Sequence, residues 1–126
     1  TITKAIRRAM RLLSFLAFLS GAMPVTGAEL VMVETPGCYW CARWDTEIAT
    51  AYPRTPEGHM APLRRIRLDE SLPDNLDLEH PVRVTPTFLL IEDGEELARI
   101  EGYPGEDFFW PLLGKMLEKL QKPDNG

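Results

Sequence analysis

The chain holds two cysteines, and they stand three residues apart in Cys38-Tyr39-Trp40-Cys41. Paired thiols at that spacing can exchange electrons with a disulfide, bind a metal, take a covalent haem, or staple the chain. Haem attachment requires His directly after the second cysteine, and residue 42 is Ala. A structural zinc site needs about four ligands, and only His59 and His80 could join, neither spaced as a ligand pair. A purely structural disulfide across so short a loop would constrain little unfolded-chain entropy. Redox exchange fits the pattern most fully. A cysteine at a helix N-terminus meets free N–H groups and the positive end of the macrodipole, which favour its thiolate, the species that attacks a disulfide. A second thiol one turn further on can resolve the mixed disulfide. On this reading Cys38 is the exposed nucleophile and Cys41 the more buried resolving thiol. A disulfide-forming oxidase or isomerase would use the same pair. So would a copper-binding metallochaperone, with His80 as a further ligand.

That chemistry needs a strand to deliver Cys38 and a helix to begin beneath it. Glu29-Leu30-Val31-Met32-Val33 is short and β-branched, and Pro36-Gly37 ends it just before Cys38, so a buried strand is expected there. Cys41, Trp44, Ile48 and Tyr52 then recur at spacings of three and four, one face of a helix that Pro53 should close. Residues 54–60 read as turn, with Pro56 and Gly58. Leu63 to Leu68 reads as a second strand, and the acidic stretch from Asp69 to Glu79 offers at most a short helix around Asn75-Leu76-Asp77-Leu78. Thr87-Phe88-Leu89-Leu90-Ile91, an Asp93-Gly94 turn and Glu96-Leu97-Ala98-Arg99-Ile100 make a hairpin. Phe109, Leu112, Leu113, Met116, Leu117 and Leu120 mark an amphipathic helix. Its Pro111 should lie in the first turn, which puts the start later than Glu106. The order β-α-β-(α)-β-β-α predicts an α/β fold with a small central mixed sheet flanked by helices.

The first 28 residues read as an address. Lys4, Arg7, Arg8 and Arg11 form a basic front, residues 12–19 an apolar run, and Thr26-Gly27-Ala28 a small-residue end. These are the three parts of a signal peptide. The other reading is an uncleaved membrane anchor, against which the apolar run, broken by Ser20, Gly21 and Pro24, falls short of the roughly 20 residues that a membrane span requires. Cleavage is expected near Ala28, leaving one domain over residues 29–126. That domain keeps ten basic against 19 acidic groups, a net charge of −9. Such a balance disfavours nucleic acid and anionic membrane surfaces as partners.

Pro36-Gly37-Cys38-Tyr39-Trp40-Cys41 before a helix, then Val84-Thr85-Pro86-Thr87-Phe88 before a hairpin, Gly102 and a terminal amphipathic helix, resembles the thioredoxin superfamily. The resemblance covers most of residues 29–126. It implies a thioredoxin-like fold, a cis Thr85–Pro86 bond lying beside the cysteines, and a substrate-binding surface formed by Tyr39, Trp40, Thr85 and Pro86. It also implies a thiol:disulfide oxidoreductase that needs no cofactor beyond its own Cys38–Cys41 disulfide and holds no metal. The chain departs from thioredoxin at Gly37, where that family has Trp, and at Tyr39-Trp40 in place of Gly-Pro. The family's buried acid falls on Met32, and Glu34, the nearest carboxylate, is a candidate for proton transfer from Cys41; the other reading is a solvated end-of-strand glutamate. Pro-Gly-Cys-x-x-Cys-x-x-Trp most resembles the periplasmic thioredoxins of bacterial sulfur oxidation, of the SoxS type, helped by Arg43-Trp44-Asp45 and the segment Tyr52 to Gly58. That closer resemblance implies a periplasmic monomer that reduces a disulfide or sulfur adduct on a partner protein, such as a sulfur-carrier protein, with electrons from a membrane thiol-reductase.

Other residues are assigned plainer roles. Trp44 reads as packing, His59 as a loop residue, and His80 as part of the approach to Pro86. Met32, Met60 and Met116 read as core filling. Arg64, Arg65 and Arg67 read as a solvated strand face without a nucleic-acid motif, and the acidic run from Glu92 to Glu96 as the exposed rim of a turn.

Overall fold

The computed structural model describes residues 27–120. The expected signal peptide lies outside the described residues except for Gly27 and Ala28. Strand β1 (Ala28–Glu34) leads to helix α1 (Tyr39–Trp44), which continues through a π-helical turn at Asp45–Ala49 and a 3-10 turn at Tyr52–Arg54. Helix α2 (Pro56–Met60), strands β2 (Leu63–Arg67), β3 (Thr87–Glu92) and β4 (Glu95–Glu101), and helix α3 (Glu106–Leu117) follow. The sheet order is β2-β1-β3-β4, with β1 parallel to β2 and antiparallel to β3, and β3 antiparallel to β4. The hairpin turn has the chemistry its sequence advertises: Asp93 and Gly94 both take positive φ, 53° and 83°.

The two faces of the sheet are covered differently. Leu30 and Met32 of β1 and Phe88 and Leu90 of β3 face the helices, where Cys41, Trp44, Ile48, Phe109 and Leu113 complete one core. Four aromatic rings lock that core together, with centroids 5.2 Å apart for Trp44 and Phe88, 5.0 Å for Phe88 and Phe109, and 6.0 Å for Tyr103 and Phe109. Each such pair contributes about 0.5–1.5 kcal/mol beyond the burial of its area. The alternate residues Val31, Val33, Leu89 and Ile91 face the other way, against Ile66, Val82 and a chain segment bearing Leu68, Leu72, Leu76 and Leu78.

That segment is not helical at Asn75–Leu78. Asp77 instead forms a parallel bridge to Glu95 at the sheet edge, its N–H donating to Gly94 O at 2.8 Å and its carbonyl accepting from Glu96 N at 3.0 Å. The backbone's hydrogen bonds go to the open edge of β4, which a short helix would leave unpaired. Glu96 also departs from the exposed rim expected of it. It is 4% exposed and forms a bidentate pair with Arg99, whose side chain is largely buried, at 2.6 and 2.7 Å. Arg99 reaches on to the carbonyls of His80 (2.7 Å) and Pro81, so the pair fastens the approach to Pro86 onto β4.

Three prolines behave differently from their expected roles. Pro53 does not close a long helix but sits inside the 3-10 turn, and Pro56 opens α2 behind the Thr55 cap, whose hydroxyl accepts from Gly58 N at 3.0 Å. A side chain at Gly58 would overlap the Tyr52 carbonyl, so glycine is required by the close approach of α2 to the preceding turn. Pro111 lies inside α3, which starts at Glu106 after all. The carbonyl it leaves unpaired belongs to exposed Asp107, where water can serve it. Met32 and Met116 are core residues, but Met60 is half exposed. Arg64, Arg65 and Arg67 are each ion-paired, with Glu29, with Glu34 and Asp45, and with Asp69.

Candidate active site

The end of β1 is turned into the start of α1 by Thr35-Pro36-Gly37-Cys38. Gly37 has φ 75°, and Cys38 N donates to Thr35 O at 3.3 Å, as in a type II turn with Pro and Gly at its centre. Cys38 is left extended as the N-cap of α1. Its Sγ accepts the backbone N–H of Cys41 at 3.2 Å, and its carbonyl accepts from Ala42 N at 3.1 Å. The two cysteines form a disulfide, with Cα atoms 5.2 Å apart. Cys38 is half exposed, whereas Cys41 is 5% exposed and belongs to the helix-side core. When the disulfide is reduced, an N–H aimed at Cys38 Sγ stabilises a thiolate more than a thiol, because a charge-assisted hydrogen bond is the stronger one.

The second wall of the site follows from strand register. Val33 pairs with Thr87 in the antiparallel β1–β3 ladder, so two residues further along Thr35 comes opposite Thr85. Their hydroxyls are 3.0 Å apart. The Thr85–Pro86 peptide bond is cis. This loop is held from behind, where Thr87 Oγ1 donates to Val84 O and Gly102 N to Pro86 O, both at 2.7 Å. Val84 is exposed, as are Tyr39 and Trp40, whose rings meet edge to face at 5.0 Å. The Arg43 guanidinium lies 5.8 Å from the Trp40 ring and pairs with Glu47 at 3.1 Å. Glu47 also accepts from the Tyr103 hydroxyl at 3.1 Å. Burial, with the Glu47 hydrogen bond and charge, pushes the Tyr103 phenol up to about 12.

Glu34 stands at the end of β1 with its carboxylate held by Arg65 at 2.8 Å. Arg65 also binds Asp45 and lies 5.6 Å from the Trp44 ring. Among the described residues no hydrogen bond joins Glu34 to either cysteine. His80 faces Glu101 at 3.4 Å, and among the described residues no group of three or more His, Cys, Asp or Glu side chains is placed to hold a metal ion. A concavity of about 740 Å³ is lined by Glu29, Arg64, Leu76 and Asp93, at the end of β1 remote from Cys38. The disulfide lies instead on open surface among exposed apolar side chains, an arrangement suited to docking another protein.

Of the residues expected at the site, the chain order alone groups Cys38, Tyr39, Trp40 and Cys41, and the sheet register adds Thr85 and Pro86. Sequence reasoning missed Thr35, Val84, Arg43 and Glu47. Arg43 and Glu47 carried a signal, the i,i+4 spacing of opposite charges on the helix. Thr35 carried none until β1 was known to pair antiparallel to β3.

Residues 28–117 match the family model described as a thioredoxin-like domain. The chain is 50% identical to the periplasmic thioredoxin SoxS from Paracoccus pantotrophus, in its reduced form, with a TM-score of 0.72 over 75% of this chain and 99% of that one. Two more distant structures share the fold. A thioredoxin-fold protein from Helicobacter pylori is 16% identical with a TM-score of 0.56, covering 78% of this chain and 73% of its own. Thioredoxin-2 of the malaria parasite is 19% identical with a TM-score of 0.54, covering 77% of this chain and 90% of its own. No curated protein matches the chain. With the disulfide at the head of α1 and a family match spanning 90 residues, the chain belongs to the thioredoxin-like family and is a thiol:disulfide oxidoreductase similar to the periplasmic thioredoxin SoxS.

Proposed function

We propose that this protein is exported to the periplasm and reduces a disulfide or sulfur adduct on a cysteine of a partner protein, a sulfur-oxidation carrier protein being the partner its likeness to SoxS favours. The observation that carries the reading is the asymmetry of the pair: Cys38 is half exposed with Cys41 N–H on its sulfur, and Cys41 is buried behind it. The Cys38 thiolate attacks one sulfur of the partner's disulfide. That S–S bond breaks, the partner's other sulfur leaves as a thiolate, and a mixed disulfide forms on Cys38. Cys41 then loses its proton and its thiolate attacks Cys38 Sγ. The mixed bond breaks, the partner's second thiolate leaves, and the Cys38–Cys41 disulfide closes. Two electrons and two protons have passed to the partner, and a membrane thiol-reductase returns them.

Tyr39, Trp40 and Val84 supply the apolar docking surface, and Thr85 and Pro86 the wall along which the partner's backbone lies. The Glu34–Arg65 pair favours the reading of Glu34 as a charge-paired residue at the strand's end. The test is a pair of substitutions. Cys38→Ser should abolish reduction of a protein disulfide such as insulin, and Cys41→Ser should accumulate a mixed disulfide visible by non-reducing gel and mass. Turnover by Cys38→Ser refutes the assignment. The measured potential of the pair separates reductant from oxidase, since thioredoxin lies near roughly −270 mV and a strong oxidant near roughly −120 mV.

A further inference from the structure

The two halves of the site come from segments 50 residues apart in the chain, and one side-chain bond spans them. Thr35 is joined to both. Its carbonyl accepts the backbone N–H of Cys38 at 3.3 Å, while its hydroxyl meets that of Thr85 at 3.0 Å. Through Gly37 at φ 75° the turn is fixed to the cap of α1, and through Thr87 and Gly102 the Thr85–Pro86 loop is fixed to β3 and β4. The β1–β3 ladder ends at the Val33–Thr87 pair, and beyond it the Thr35–Thr85 bond ties the two bodies together.

Resting on the proposed reductase reading, we propose that Thr35 is a positioning residue for protein substrates: with Thr85 it fixes the distance between the attacking Cys38 sulfur and the wall that holds the partner's backbone. The partner's backbone rests on the loop while its disulfide must reach Cys38, so an error in this spacing weakens the binding of a substrate whose position the loop dictates. A small disulfide that approaches Cys38 without using the loop does not sense the error. Both hydroxyls are half-buried, and one donates to the other across the gap.

The experiment measures kcat and KM for insulin and the rate with the small disulfide DTNB, for the parent, Thr35→Val, Thr35→Ser, Thr85→Val and the double valine variant. Loss of one hydrogen bond predicts a KM for insulin raised about fivefold in Thr35→Val, with kcat and the DTNB rate unchanged within about twofold. Thr35→Ser keeps the hydroxyl and should restore the parent KM. Thr85→Val should also raise the insulin KM, and in the double variant the two increases should be less than additive, since both remove the same bond. An unchanged KM in Thr35→Val, an equal loss with DTNB, or failure of serine to restore KM overturns the inference while leaving the reductase reading in place. A parent that reduces neither probe overturns both.

Discussion

Arg99→Met asks how much the buried ion pair holds. The guanidinium makes two short bonds to Glu96, one to His80 O at 2.7 Å, and longer ones to Glu101 and Pro81 O. Methionine fills similar space but strands the Glu96 carboxylate, whose side chain is 2% exposed, with only the N–H of Glu79 at 3.3 Å. Removing one partner of a buried pair costs about 3–5 kcal/mol, because an uncompensated charge is left inside. A domain of this size is stable by roughly 5–15 kcal/mol, and 4 kcal/mol corresponds to a fall in Tm of roughly 15–30 °C. The loss should also depend on pH. Burial pushes the Glu96 carboxyl up, but the hydrogen bond and charge of Arg99 outweigh it and hold the carboxyl below its ordinary value of 4.5. A carboxyl depressed on folding adds stability that is present above its unfolded pKa and is lost as pH falls through the folded value. The parent therefore gives up the pair's contribution in acid, and the gap between parent and variant should narrow below about pH 4.5. Urea denaturation at neutral and acid pH measures both effects, and hydrogen exchange at residues 77–82 should rise in the variant. A loss under about 1 kcal/mol at neutral pH, or a gap that does not change with pH, would show that the pair is not the fastening described.

The other predictions are simpler. Pro111→Ala restores an N–H to the middle of α3 and removes the ring's clash with the Asp107 carbonyl, so it should stabilise the fold by roughly 1–3 kcal/mol, read from the urea midpoint. No gain would mean that α3 is already bent to fit its proline. Export predicts a mature chain beginning within a residue of Glu29, measured by the mass of protein recovered from the periplasm; a chain retaining Arg7 and Arg8 sinks that expectation.

The parts of the fold that the sequence made legible are those written in local pattern. Cys41, Trp44 and Ile48 lie on one helical face, Asp93-Gly94 makes the hairpin turn, and Thr87 to Ile91 is a strand because each signal is complete within a few residues. The parts that were missed depend on what a residue meets elsewhere. Glu96 looked like one more acid in a run, and only Arg99 three residues on and the carbonyls of a distant segment make it a buried anchor. Pro56 and Gly58 looked like breakers, yet one opens a helix and the other is demanded by the Tyr52 carbonyl. Pro111 was placed by rule at a helix start, and solvent on its side of α3 relaxed the rule.

The antiparallel pairing of β1 with β3 explains why the site is where it is. A strand followed by a helix presents its cysteine at the strand's C-terminal end, and an antiparallel neighbour enters the sheet at that same end. With Val33 opposite Thr87, the last residues before α1 must face the last residues before β3. The Cys38 turn and the Thr85–Pro86 loop therefore meet without either needing a long excursion. The alternation along β1 then sorts its residues by face, with Met32 toward Cys41 and the helices and Val33 toward the segment that Arg99 holds. A one-residue slip of that register would carry Thr35 off Thr85 and turn Met32 away from Cys41 together. The site's geometry and the core's packing are thus set by one register, which is why a bond as small as Thr35–Thr85 can be decisive once the strands have fixed everything around it.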